Sequence, residues 1–188
     1  MDIKLSELPA EWRAEAQMVF QTNPAGAIKL VRCADQLEAA LAVDANSGFE
    51  PLTFDEGTYR RWKPILRGPW RFAFDTTAEE PQLRRMMEIL RNESPRHKRV
   101  YVLIGNEPVA ACYARAQKVI EWRGEPCCQP LLPLNALDRH QFKIAYDWTA
   151  EKLTDFARYY NRFVWRSAPL REYQGRKDQA PVFAGVQL

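Results

Sequence analysis

Apolar positions alternate along the chain between short runs of β type and stripes at helical spacing. A short apolar stretch at Ala42–Asn46 leads into the turn Ser47-Gly48-Phe49-Glu50-Pro51. A segment with Tyr59, Trp62 and Leu66 on one helical face follows. Trp70–Phe74 alternates as a strand and closes at Asp75-Thr76-Thr77. Pro81 then stands where a first helical turn tolerates it, with Thr76 or Thr77 as cap. Leu83, Met86, Met87 and Leu90 recur at i, i+3, i+4 and i+7, one helical face.

Pro95 interrupts that helix, and Arg99–Ile104 is a continuous apolar run of the fully buried strand type. After Gly105-Asn106-Glu107-Pro108, the residues Val109, Cys112, Tyr113, Ala116, Val119 and Ile120 line a helix, with Gly124 as its expected C-cap. Cys127–Leu132 reads as a further strand, which its two prolines demote toward an edge or a strand end. Beyond the loop 133–148, Thr149 caps a long helix whose core face is Leu153, Phe156, Ala157, Tyr160, Phe163 and Val164. Strands starting near 42, 70, 99 and 127 are spaced as βα units. This predicts an α/β fold with a parallel sheet, too short for a closed eight-fold barrel and therefore a partial barrel of TIM type. The expected organisation is an N-terminal segment (1–41), helical with a possible strand at Ala27–Cys33, four βα units (42–148), and a C-terminal helix with a basic tail (149–188).

Length and composition narrow the picture further. With 188 residues, of which 46% are hydrophobic, the chain supports one ordinary domain and excludes pervasive disorder. No apolar run is long enough for a membrane span, and the first residues lack an apolar signal core, so a cytoplasmic protein is expected. The net charge of +3 does not call for nucleic acid. The basic excess lies in residues 139–188, nine Lys/Arg against five Asp/Glu, and reads first as a solvated helix face and tail. The four cysteines, Cys33, Cys112, Cys127 and Cys128, form no CxxC pair. With only two histidines beside them, His97 and His140, no closed metal site is expected, and the thiols read as reduced.

In parallel α/β folds ligands sit at the carboxyl ends of strands. Four such loops carry polar groups: Asn46 and Glu50; Asp75; Asn106 and Glu107; Asn135 and Asp138. They either converge on a shared pocket or cap the helices that follow. Phosphate-cradling glycine loops and nucleophile motifs are absent from the sequence, so the catalytic residues are unknown at this level.

Several short motifs, in this order, resemble the later half of radical S-adenosylmethionine (radical SAM) proteins, in particular an environmental and phage-like group. They are SGFEP at Ser47–Pro51, RFAFD at Arg71–Asp75, RVYVLIG at Arg99–Gly105 and QPLLPLN at Gln129–Asn135. The end of the chain adds DFARYYN at Asp155–Asn161, RSAP from Arg166, and Glu172-Tyr173. The resemblance spans Ala42 to Tyr173. It implies S-adenosylmethionine (AdoMet) as cofactor, with Asp75 and Thr76 near its ribose and carboxylate. Ile104, Gly105 and Asn106 would lie at the adenine, flanked by the strand carrying Leu132 and Asn135. Glu50 and Glu107 are its substrate-side candidates.

The family's CxxxCxxC loop, whose thiolates hold a [4Fe–4S] cluster, has no counterpart here. The chain therefore resembles the C-terminal portion of such a barrel. It is expected to be inactive alone and to bind no stoichiometric cluster. The partner this implies is a cluster-bearing N-terminal half, or a second copy, covering an open edge. The competing reading is a non-catalytic binding or interaction domain on the same half-barrel.

Overall fold

The computed structural model describes residues 44–45, 47–138, 140–175 and 181–183. The N-terminal segment 1–41, with its expected helix and strand, lies outside them, as does much of the basic tail.

Helix α1 (Glu56–Trp62) starts where the Asp55 carboxylate accepts the Thr58 N–H at 2.7 Å. Strand β1 (Trp70–Phe74) follows, then helix α2 (Glu80–Ile89) with Pro81 in its first turn. Strand β2 (Lys98–Ile104), helix α3 (Val109–Glu121), strand β3 (Glu125–Pro130) and helix α4 (Ala150–Asn161) complete the order. The three strands form one parallel sheet in the order β1-β2-β3, with Phe74 opposite Val102 and Val102 opposite Cys128. The fold is α/β, with helices alternating with the strands of this sheet.

The alternation along each strand decides which side is covered. Phe72, Phe74, Val100, Val102, Ile104 and Cys128 are buried. They form one core cluster with Leu83, Met86 and Met87 of α2, Val109, Cys112, Ala116 and Val119 of α3, and Leu153, Phe156 and Tyr160 of α4. The residues between them, Ala73, Arg99, Tyr101, Leu103, Cys127 and Gln129, are exposed or half-buried. Parallel sheets are ordinarily apolar on both faces. This one is apolar on its helix side and mixed on the other.

Beside β1, Phe49, Phe54, Trp70 and Phe72 pack as an aromatic cluster with centroids 5.1–6.0 Å apart. The Phe49 N–H donates to Arg71 O at 2.8 Å, and the Asp44 carboxylate pairs with the Arg71 guanidinium. Gly48 makes this approach possible. Its φ is +80°, and a Cβ there would stand 2.9 Å from Arg71 O.

Three expectations change. A strand at Ala42–Asn46 is not found at Asp44 or Ala45, and the rest of that stretch lies outside the described residues. Among the described residues the sheet has three strands, and most of the expected fourth lies outside them. The last strand is Glu125–Pro130, not 127–132, and it is an edge as its prolines imply. At the end of α3 the left-handed residue is Arg123 (φ 60°), not Gly124. Gly124 has a packing reason instead, since a Cβ would meet Met87 Cε at 2.6 Å.

Candidate functional site

The carboxyl ends of β1 and β2 are joined by one buried side chain, Arg115 of α3. It projects from the apolar stripe Val109–Cys112–Ala116–Val119 and is 1% exposed. Its guanidinium donates to Phe74 O at the end of β1, to Leu103 O on β2 at 2.7 Å, and to Asn106 Oδ1 at 3.2 Å. Its Nε lies 2.9 Å from Glu107 Oε2, an ion pair by distance in which the Nε–H makes no aligned hydrogen bond. A guanidinium can hold several acceptors in one plane, which suits it to tie two strand ends together.

Around this hub the loops interlock. The Asn106 amide donates to Asp75 O. Glu107 accepts from Thr77 N at 3.3 Å and Thr77 Oγ1 at 3.1 Å. The Asp75 N–H donates to Glu79 Oε2 at 2.7 Å, and Thr76 with Glu79 forms a capping box at the turn into α2. Trp148 Nε1 donates to Glu107 O at 2.7 Å, and Asp147 Oδ1 accepts the Val109 N–H at 2.9 Å. The segment before α4 therefore closes the far side of the same loop. Gly105 (φ +94°) turns the chain tightly between them, and a Cβ there would stand 3.1 Å from Leu153 Cδ2. Its positive φ and its packing against α4 both require a residue without a side chain.

Asp75 is the one candidate carboxylate that also faces the sheet side without helices. It lines a cavity of about 320 Å³ with Ser47, Ala73, Tyr101, Leu103 and Gln129. Partial desolvation, then the neighbouring carboxylates of Glu79 and Glu50, push its carboxyl above the usual aspartate range against the pull of Arg115. Glu50 is thus an electrostatic neighbour, although its own Oε1 accepts the Leu52 N–H at 3.1 Å in a local turn.

The structure therefore gathers Asp75, Thr76, Gly105, Asn106 and Glu107 and leaves others apart. Ile104 is fully buried with its side chain in the core, and its carbonyl accepts the Leu131 N–H at 2.8 Å. Leu132 and Asn135 stand exposed in the loop after β3. Arg115, Tyr101 and Gln129 are not site candidates from the sequence, and Thr77 reads there only as a helix cap. Arg115 alone had a signal: a charged residue inside an apolar helical stripe has to find partners or carry a large desolvation cost.

The three described cysteines are not gathered at one place. Cys112 and Cys128 are buried in the helix layer, whereas Cys127 belongs to the opposite face of β3. Burial pushes all three thiols above their ordinary value. Cys33 lies outside the described residues. No helix among the described residues is long and apolar enough to cross a membrane. No family model, curated protein or solved structure matches the chain.

Proposed function

We propose that this chain is an AdoMet-binding part of a radical SAM-type partial barrel, and that its cluster chemistry depends on another, thiolate-bearing polypeptide. One observation carries the reading. The polar loops at the strand carboxyl ends converge beside a sheet face that no helix of the described chain covers. A sheet with helices on one side only is what a segment of a closed barrel requires, its other face being the barrel interior.

The lining of the cavity suits part of AdoMet. Asp75, Ser47 and Tyr101 offer a carboxylate and hydroxyls to ribose hydroxyls or an ammonium group, and Gln129 offers an amide. When bound beside a cluster, AdoMet supplies a radical through reductive cleavage. The part of this chain is to hold and orient the nucleoside. In that role Arg115 and Asn106 are positioning residues, fixing the loops that carry Asp75 and Glu107. The described cysteines do not converge on one site, so the cluster's ligands would come from the other polypeptide.

Equilibrium dialysis with AdoMet tests the reading. Saturable binding by the full chain is expected, weakened at least tenfold by Asp75→Ala and unchanged by Asn135→Ala, since Asn135 stands apart from the gathered group. Absence of binding both by the chain alone and after mixing with a cluster-bearing partner half would overturn it.

A second reading, a non-catalytic interaction module, is favoured by the loop between β3 and α4. Leu134, Leu137, Ile144 and Tyr146 are exposed there. Retained capture of a protein partner by a chain that does not bind AdoMet is its distinguishing outcome.

A further inference from the structure

A second polar constellation lies at the opposite, amino-terminal end of the sheet, independent of the reading above. Lys98 opens β2, and its side chain is 1% exposed. Lysine is almost never buried without a counter-charge. Here its ammonium donates to Trp122 O at 3.3 Å, which uses one of three donors. Glu93, the carboxylate that acts on it from a distance, is already engaged by the Tyr59 hydroxyl at 2.6 Å and by Lys63 at 3.1 Å.

Lys98 lines a cavity of about 580 Å³ together with Arg84, Arg91, Lys118, Arg123, Glu80, Glu88 and Glu121, with Met87 and Trp122 as apolar wall. Lys118 pairs with Glu80, and Arg91 lies 3.7 Å from Glu88. That leaves Arg84, Lys98 and Arg123 with Glu121, so positive charge is in excess. Arg123 follows the end of α3, and its φ of 60° closes that helix. Burial, then the adjacent Arg123, lower the ammonium pKa of Lys98, against the pull of Glu93.

We propose that this cavity binds a tetrahedral oxyanion of the phosphate class. The buried Lys98 ammonium takes one oxygen, and the exposed guanidinium groups of Arg84 and Arg123 take the others. Guanidinium forks match such oxyanions bidentately, and a desolvated ammonium gains most from a full negative charge. The anion comes either as free phosphate or as the terminal group of a phosphate monoester. Trp122 and Met87 would flank any organic part of the latter.

The experiment titrates the full chain with inorganic phosphate, followed by amide chemical shifts and by thermal melts in phosphate against chloride at equal ionic strength. Saturable shifts at Lys98, Trp122 and Arg123 with a raised Tm in phosphate are expected. The Arg84→Gln/Arg123→Gln double variant changes only exposed side chains, and it is expected to lose at least tenfold in affinity while melting normally in chloride. Lys98→Met is expected to abolish binding, and the double variant decides the matter if that protein does not fold. Non-saturable shifts, equal melts in the two salts, or unchanged affinity in the double variant would overturn the proposal. A parallel titration with a nucleoside monophosphate separates the two sources. Tighter binding assigns a monoester and equal binding assigns free phosphate.

Discussion

The two edges of the sheet are finished in different ways. At β3 the outward N–H and C=O of Cys128 are both taken by the Asn161 side chain, at 2.8 and 2.9 Å. The primary amide offers a donor and an acceptor side by side, the same pair a neighbouring strand would present. At β1 the corresponding position is Ala73. Arg71 O turns outward to Phe49 N, so by the period of two the N–H and C=O of Ala73 also point away from β2. Among the described residues nothing bonds to them. One edge is therefore capped by α4, whereas the other carries no partner at Ala73 among the described residues. Unpaired edges invite strand addition, and proteins usually protect them. The contrast gives a direction to the partial barrel proposed above. On that proposal, further strands would join beside β1, since the β3 edge is occupied by Asn161.

The capped edge is the more sensitive of the two to a single change. Asn161→Ala strands the N–H and C=O of buried Cys128, and a loss of about 2–3 kcal/mol is expected. Urea melts measure it, and an unchanged midpoint would remove the edge-capping role of the amide. At the open edge, Gly48→Ala places a Cβ against Arg71 O at a left-handed φ. A smaller cost of about 1–2 kcal/mol is expected. Amide exchange should quicken at Phe49 while Cys128 stays protected, and equal quickening at both would erase the distinction between the edges.

The smallest effect concerns the ion pair that fastens the entry to β1. The hydrogen bond from Arg71, reinforced by its charge, holds the Asp44 carboxyl below the ordinary aspartate value of 3.8. A depressed carboxylate stabilises the fold above its unfolded pKa, and the contribution fades as pH falls through the lower folded value. Asp44→Asn is therefore expected to lower the Tm slightly at neutral pH and to match the parent in strong acid. Melts across the acid range check the crossing, and a constant offset at all pH values would assign the effect to packing.

Local patterns were legible wherever one element decides its own burial. The stripe Leu83–Met86–Met87–Leu90 is buried throughout, because a helix against a sheet buries one face by period alone. The run Arg99–Ile104 is a strand, preceded by Lys98 because that residue's stem packs inward. The Thr149 cap is present, its hydroxyl accepting Lys152 N at 3.1 Å. What depended on distant partners was not legible. On α4, Tyr159 joins the buried face, its hydroxyl donating to Ala168 O at 2.8 Å, a contact that spacing does not reveal. The gathering of Asp75, Asn106 and Glu107 followed from the strand-end rule, but the residue that gathers them did not. Arg115 reaches two carbonyls on separate strands, and only the sheet register brings these within one side chain's span.

That single guanidinium also shapes how the site can move. The loops carrying Asp75 and Glu107 are far apart in sequence and would ordinarily fluctuate independently. Because both lean on Arg115, loosening one removes an acceptor or a pairing charge from the other. The amides of Asp75, Thr77 and Val109 are thus expected to open together, which hydrogen exchange checks by equal protection at the three. A ligand touching only Asp75 would then slow exchange at the start of α3, on a loop it never contacts.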